Sequence, residues 1–115
     1  MKFNKTLSQI ITCIKDKKGE DIVVLDIRRL SSLTDYFIIC TSDSDPKTKA
    51  ITSHIKKDLS KSKMKPIQIE GVDHFDWVLM DYFDTVVHIF RKETREFYNI
   101  ERLWADAKVV KIKDD

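Results

Sequence analysis

Glycine is scarce in this chain, occurring only as Gly19 and Gly71 among 115 residues. A phosphate-binding loop needs several glycines, because backbone amides must approach the anion closely and some positions need positive φ. Their scarcity excludes a P-loop and a dinucleotide-binding fingerprint. Nucleotidyl transfer needs paired carboxylates that hold metal ions, whereas Asp26 in "LDIRR" has no second acid two residues further on. We therefore expect neither a nucleotide-binding loop nor metal-dependent nucleotidyl transfer.

Cysteine and long apolar runs are scarce as well. Cys13 and Cys40 lie in apolar patterns without a CxxC motif, which predicts the buried, reduced thiols of a cytosolic protein. No apolar run approaches the ~20 residues that a membrane span requires. Residues 1–18 also lack the apolar segment of a secretory signal. We expect a cytoplasmic protein without a membrane segment.

The chain also lacks a large excess of charge of one sign. It has 21 basic residues and 19 acidic residues, and its net charge is +2. Acids and bases are interleaved along the chain, whereas nonspecific nucleic-acid binders concentrate lysine and arginine on one face. We expect no direct DNA binding. This pattern does not exclude work on a ribonucleoprotein surface.

Two segments carry apolar residues at the spacing of an amphipathic helix. We expect Gly19 to take a left-handed conformation just beyond the first helix. Ser44 or Asp45 is expected to cap the second helix, with Pro46 where a missing N–H costs nothing. The inward stripes are Leu7, Ile10, Ile11 and Ile14 in the first helix, and Ala50, Ile51, Ile55 and Leu59 in the second.

Short apolar segments between and after these helices predict strands. They are "DIVVLDI", "YFIICT" and "KPIQIEG". Residues 76–90, "DWVLMDYFDTVVHIF", predict a hairpin whose two strands flank the four-residue loop "DYFD". We expect one compact domain.

The end of the chain predicts one more helix followed by a tail. "ETREFYNIERLW" carries apolar residues at helical spacing, and Thr94 is expected to cap it. We expect the domain to span residues 1–104 and residues 105–115 to be frayed, with "KVVKI" as an alternative edge strand. The residues expected to face inward from the helix are Phe97, Ile100, Leu103 and Trp104.

Acids and histidines offer two candidates for chemistry. A hard cation such as Mg²⁺ could bind the carboxylates of Asp76, Asp81 and Asp84. At a hairpin turn, however, short acids more commonly accept hydrogen bonds from nearby backbone amides. We favour the second interpretation. The histidines are too scattered for a zinc signature, so we expect no metal site. For His88, a hydrogen-bonded structural role is favoured over a ligand or interface role.

Side-chain alternation in the hairpin predicts which residues share a face. His88 and Phe90 lie on one face of their strand, and Trp77 and Leu79 share a face of the other. If the register across the turn aligns the two pairs, they form an apolar patch with one polar group. Such a composition, flanked by acids, is typical of protein interfaces.

Three stretches together resemble the ribosomal silencing factor family, also called the Iojap family. They are "DIVVLDIRRLSSLTDYFIICT", "IEGVDHFDWVLMDYFDTVVHIF" and "ETREFYNIERLW", and the resemblance covers residues 5–104. The most specific matches are Ser32, Thr34, Asp35, Tyr36, Glu70, Gly71, Trp77, Leu103 and Trp104.

The resemblance implies an α/β fold: a small mixed β-sheet with flanking helices, like that of nucleotidyltransferases but without their catalytic residues. It also implies a translational repressor with no catalytic residues, no cofactor and no enzymatic activity. Such a protein binds the large ribosomal subunit through its protein fourteen, sterically blocks the small subunit and lowers translation under nutrient limitation. Family members are often homodimers that use an overlapping sheet face. A degenerate nucleotidyltransferase-like enzyme or a general dimeric adaptor stays as an alternative.

The resemblance also implies a contact surface on the hairpin. The implied contact residues are Trp77, Leu79, Asp81, His88 and Phe90, with Glu70 and Tyr82 as weaker members. The chain departs from the family pattern at Phe83, where glycine is usual in the turn, and at Ser42 and Pro46. Because phenylalanine tolerates positive φ poorly, we expect either a reshaped turn or an added apolar contact at Phe83.

Overall fold

A computed structural model describes residues 4–112, which build a six-stranded mixed sheet between helices. The helices are α1 (Lys5–Asp16), α2 (Asp45–Lys61), α3 (Lys92–Tyr98) and α4 (Ile100–Leu103). The strands are β1 (Glu20–Asp26), β2 (Tyr36–Ser42), β3 (Gln68–Glu70), β4 (Trp77–Asp81), β5 (Thr85–Arg91) and β6 (Lys108–Val110). Their order is β3-β4-β5-β2-β1-β6, with β2 and β5 parallel and the other pairs antiparallel. The predicted α/β class, a mixed sheet with flanking helices, is confirmed. The nucleotidyltransferase relationship stays a prediction.

The sheet buries a different apolar cluster on each face. The larger cluster joins α1 and α2 to alternate residues of the strands, including Val78, Met80, Val87 and Ile89. The smaller cluster lies beneath the C-terminal segment and comprises Leu25, Ile27, Ile39, Phe90 and Ile100. The predicted inward stripes of α1 and α2 lie in the larger cluster, except for Ala50, which is half-buried.

α1 ends differently from the sequence prediction. Lys18, not Gly19, has the left-handed backbone, with φ of 65°. The N–H of Lys18 donates to the carbonyl of Lys15, and the N–H of Gly19 donates to that of Ile14, which is the Schellman arrangement. Gly19 is required for a different reason, because a Cβ there would collide with the side chain of Ile14.

α2 begins where the sequence places it. The hydroxyl oxygen of Ser44 accepts a hydrogen bond from the N–H of Lys47 at 3.2 Å, and Pro46 occupies the first turn. These features satisfy or remove free amides at the helix start. The prediction of a cap at Ser44 or Asp45 is confirmed, with Ser44 as the cap.

The hairpin has a tighter loop than predicted. Asp81 belongs to β4, opposite Val86, so three residues and not four connect the strands. Phe83 has φ of 76°, and the N–H of Asp84 donates to the carbonyl of Tyr82 at 3.0 Å. This is a strained γ-turn. The carboxylate of Asp81 accepts a bond from the N–H of Phe83 at 2.9 Å, so Asp81 shapes the turn as expected. Phe83 is exposed and takes the positive φ itself, and a turn reshaped relative to the family pattern stays a prediction.

The C-terminal helix is broken in two. Asn99 has φ of 43° and separates α3 from α4. Thr94 is not the cap, because α3 begins at Lys92 without a side-chain cap bond. The break turns Phe97 and Leu103 outward, where they are 81% and 78% exposed, whereas Ile100 is buried. The predicted inward stripe is therefore wrong for Phe97 and Leu103.

The segment after α4 is not frayed throughout. β6 pairs antiparallel with β1, placing Val110 opposite Val24 in the core. The edge-strand alternative is confirmed, and the prediction of a frayed tail is wrong for these residues. Residues 113–115, which the predicted tail includes, lie outside the described residues.

Gly71 couples β3 to the start of β4. Its φ is 87°, and a Cβ at this position would collide with the carbonyl group of Trp77. Only glycine therefore allows the chain to turn here while keeping β3 and β4 paired.

We predict that Gly71→Ala lowers the free energy of unfolding by about 2–4 kcal/mol, because the cost of a left-handed alanine and the cost of its Cβ colliding with the Trp77 carbonyl add together. Urea unfolding followed by circular dichroism measures this change. Val72→Ala at the exposed neighbouring position is the matched control and should change the free energy by less than about 1 kcal/mol. Equal effects of the two substitutions would contradict the backbone requirement.

Candidate functional site

The hairpin register brings the predicted contact residues together. Trp77 lies opposite Phe90, and Leu79 lies opposite His88. Phe37 on β2 also contacts His88, with the ring centroids 4.7 Å apart. Because directly opposed residues project to the same side of a sheet, these five side chains form one surface. We call Phe37, Trp77, Leu79, His88 and Phe90 the aromatic face. The predicted apolar patch with one polar group is confirmed.

Trp77 is held in one orientation by contacts on several sides. Its indole N–H donates to Nδ1 of His88 at 3.2 Å. Its ring stacks on Phe90 at a centroid distance of 4.8 Å and also contacts the ring of Tyr98 at 4.9 Å. Aromatic pairs at these separations attract beyond simple area burial. The indole is therefore ordered before any partner arrives.

His88 is a neutral side chain inside this face. It is 4% exposed, and burial lowers its pKa to about 4. Because Nδ1 accepts the bond from Trp77, Nε2 carries the proton. Nε2 is buried and has no hydrogen-bond partner among the described residues. The favoured interpretation of His88 as a hydrogen-bonded structural residue is confirmed.

Only part of the aromatic face reaches solvent. Phe90 is fully buried and His88 nearly so, whereas Phe37, Trp77 and Leu79 are half-buried. Two of the predicted contact residues thus lie beneath the outer three. The arrangement is an exposed apolar layer supported by a rigid second layer.

Acids border the aromatic face on its β3 side. Glu70 lies opposite Leu79, and Asp81 lies opposite both Gln68 and Val86, so both acids project to the same side as the aromatic face. Glu70 is exposed and Asp81 half-buried. The structure brings both predicted acids to the edge of the patch.

Tyr82 is the exception among the predicted contact residues. It is 3% exposed and belongs to the cluster on the opposite face, beneath α1 and α2. Burial also raises the pKa of its phenol to about 12. We therefore correct its assignment from surface contact to core residue.

Sequence reasoning missed two features beside the face. Phe97, Tyr98 and Leu103 are exposed on α3 and α4, and Tyr98 extends the apolar surface from Trp77. Arg95 anchors these helices, donating to the carbonyl of Asp21 and the hydroxyl of Thr41, each at 2.8 Å. It also forms two hydrogen bonds with the carboxylate of Glu101. No local sequence pattern signals contacts between residues so far apart in the chain.

The described residues offer little for metal or nucleophilic chemistry. Residues 4–112 contain no group of three or more His, Cys, Asp or Glu side chains that could hold a metal ion. Cys13 and Cys40 are buried free thiols, as predicted, and burial raises the pKa of each to about 12. Thiols of this kind stay protonated and are weak nucleophiles. Within the same range, no helix has the length and apolar character needed to cross a membrane.

The sequence matches, over residues 1–115, the family described as "Ribosomal silencing factor during starvation". The chain belongs to the ribosomal silencing factor family. The Bacillus subtilis ribosomal silencing factor is 44% identical over 92 residues, covering 80% of this chain and 78% of that protein. The crystal structure of a Chromobacterium violaceum protein superposes with a TM-score of 0.87 at 31% identity, covering 100% of this chain and 92% of that one.

A more distant relative comes from mouse. The protein named mitochondrial assembly of ribosomal large subunit protein 1 is 29% identical over 101 residues, covering 85% of this chain and 44% of that protein. The resemblance predicted from the three sequence stretches is thus confirmed. Membership gives the chain the family's ribosomal silencing role, which is regulatory.

His88 predicts a specific pH dependence of stability. Its pKa of about 4 in the folded state lies below its ordinary value of 6.5, so between these values the unfolded chain binds more protons. Stability therefore rises with pH across this window and is lost as pH falls from 6.5 towards 4. We predict that His88 accounts for a loss of about 2–3 kcal/mol between pH 7 and 4.5.

Urea unfolding at a series of pH values measures this contribution. His88→Asn keeps a hydrogen-bond acceptor but does not titrate, so this variant should lack the pH-dependent loss of stability that His88 causes. The matched control is His54→Gln, at the half-buried histidine of α2, which should show the same loss of stability at low pH as the unmodified protein. An unchanged pH slope in His88→Asn would show that the buried imidazole is not the source.

Proposed function

We propose that the protein represses translation by docking its aromatic face on protein fourteen of the large ribosomal subunit. Bound there, it sterically blocks joining of the small subunit under nutrient limitation. The observation that carries this proposal is the half-exposed Trp77, held by a buried aromatic layer within a sheet face. Family membership supports the silencing role, and the name of the mouse relative supports the large subunit as the target.

Preorganisation makes Trp77 suitable as the anchor. Binding costs free energy when mobile side chains become ordered, but contacts with His88, Phe90 and Tyr98 already order this indole. Tryptophan in a well-packed pocket is also among the commonest residues to dominate interface energies. Leu79, beside it on the same face, would add apolar area to the contact.

The other predicted residues have supporting roles in this proposal. Phe90 positions Trp77 from below, and His88, whose Nε2 is itself buried, positions the indole through the hydrogen bond at Nδ1. Glu70 and Asp81 form an acidic border that would meet a basic ribosomal protein. Such complementarity raises the rate of encounter and selects the partner more than it raises affinity.

In the free, cytoplasmic protein we propose that a second copy of the chain covers an overlapping part of this surface. The exposed Tyr98 contacts Trp77, and the exposed Phe97 contacts Tyr98. These two rings extend the aromatic face by an apolar area that a homodimer would bury. Docking on the ribosome would then replace one partner by another. The proposal requires no catalytic residue, cofactor or metal.

The test is sedimentation of the protein with isolated large subunits, followed by addition of small subunits. We expect the unmodified protein to sediment with large subunits and to prevent subunit joining. Trp77→Ala and Leu79→Glu should each weaken binding by at least about 2 kcal/mol, roughly thirtyfold. Both variants must retain cooperative thermal unfolding for the result to report on the surface.

Leu33→Glu supplies the matched control, because Leu33 is exposed in the loop between β1 and β2. It should bind and block joining like the unmodified protein. Failure of the unmodified protein to bind large subunits would reject the proposal. A pulldown whose partners are all non-ribosomal would favour a general dimeric adaptor instead.

A further inference from the structure

The outer surface of α2 and the segment that follows it concentrates positive charge. Residues 47–65 contain seven lysines and a single acid, Asp58. Because the whole chain has a net charge of only +2, the remainder is net acidic. The interleaving seen along the whole sequence therefore conceals a strongly basic surface in the fold.

Most of these lysines have free ammonium groups. Lys47 pairs with Asp43, but the other six are exposed and form no hydrogen bond or ion pair with the residues described by the structure. Asp58, the single acid, accepts bonds from Gln9 and Cys13 of α1. These bonds and, more weakly, the charge of Lys61 lower the pKa of its carboxyl, so one acid is shared among seven lysines. The six are Lys49, Lys56, Lys57, Lys61, Lys63 and Lys65.

Spacing gathers several of these lysines into a stripe. Positions 49, 53, 56, 57 and 60 recur at intervals that share one side of a helix, and this side faces away from the buried stripe of Ile51, Ile55 and Leu59. An ordinary solvated helix balances lysine with acids one turn away, whereas Lys57 and Lys61 are a like-charge pair at that spacing, which is destabilising. The surface thus favours an anion.

A groove adjoins this stripe between α2 and the segment leading into β3. It has a volume of about 720 Å³. Lysine ammonium groups and serine hydroxyls supply hydrogen-bond donors to its lining, and the rest of the lining is partly apolar. The donors are Lys56, Lys57, Lys65, Ser53 and Ser60, and the apolar lining includes Met64 and Ile69. Lysine and serine are common partners of nucleic-acid phosphates.

We propose that this lysine groove, defined by Ser53, Lys56, Lys57, Ser60 and Lys65, binds the phosphate backbone of RNA. The stripe from position 49 to position 60 spans roughly 17 Å along the axis of α2, the span of several consecutive phosphates. The exposed large apolar residues of the described chain lie outside α2, so the stripe lacks the apolar side chains with which a helix enters a lipid surface. RNA is favoured over DNA because the family acts on ribosomes.

The lysine groove and the aromatic face can be occupied at the same time. α2 packs against Val87 and Ile89 on one side of the sheet, whereas Trp77 and His88 project from the other. A protein partner on one side and RNA on the other would not compete for space. The inference rests on family membership but not on docking to protein fourteen, and the two are tested by separate measurements.

The experiment titrates the full chain into a fluorescein-labelled RNA hairpin and follows fluorescence anisotropy at several KCl concentrations. Lys56→Glu/Lys57→Glu/Lys65→Glu should weaken binding at least tenfold and flatten its salt dependence, because fewer counterions are released. The control, Arg29→Glu/Lys92→Glu/Lys111→Glu, changes the net charge equally at exposed sites away from the groove and should weaken binding less than threefold. Circular dichroism verifies that both variants are folded.

Several outcomes would overturn the proposal. The first is that the unmodified protein does not bind the RNA hairpin. The second is that both triple variants weaken RNA binding equally, because this would show that net charge alone determines the affinity. Tighter binding to a DNA hairpin of the same sequence would reject RNA as the occupant. Co-sedimentation with vesicles of phosphatidylcholine and phosphatidylglycerol, without RNA binding, would identify a lipid surface instead.

Discussion

Strand β5 is buried on both faces, and this constraint shapes the rest of the molecule. It lies between β4 and β2, with six consecutive buried residues from Thr85 to Phe90. A strand without a solvent-facing side needs cover above and below. α1 and α2 cover one side completely, but the short α3 and α4 cover only part of the other. Side chains of the sheet itself, above all Trp77 and Phe37, supply the remainder and thereby become a surface.

The chemistry of that surface suits recognition better than catalysis. His88 is the one titratable group among the five residues of the aromatic face, and it lies in an apolar setting that keeps it neutral. A general base needs a pKa near the working pH and a proton to abstract within reach. His88 instead orients the indole of Trp77 through a single hydrogen bond. The same burial that removes it from acid–base chemistry makes the indole rigid.

Positive charge is concentrated on the α2 side of the sheet. An acidic border at Glu70 and Asp81 accompanies the aromatic face, while the lysine groove lies on the outer surface of α2. Residues 47–65 carry a net charge of +6 and the rest of the chain −4, so a near-neutral total conceals a strongly basic segment. Under the two proposals above, the aromatic face would select a basic protein and the lysine groove would select RNA.

Local physical chemistry determined much of this protein from sequence alone. Helical spacing predicted the buried stripes of α1 and α2, and alternation predicted which hairpin residues share a face, because both depend only on nearby backbone geometry. Tertiary structure decided the rest. Register placed Trp77 over Phe90, the break at Asn99 turned Phe97 outward, and long-range contacts of Arg95 anchored the C-terminal helices. The lysine-rich run of residues 47–65 is visible in the sequence, but the groove beside it forms only when α2 packs on the sheet and the next segment returns to β3. These outcomes depend on contacts between distant segments, about which local spacing carries no information.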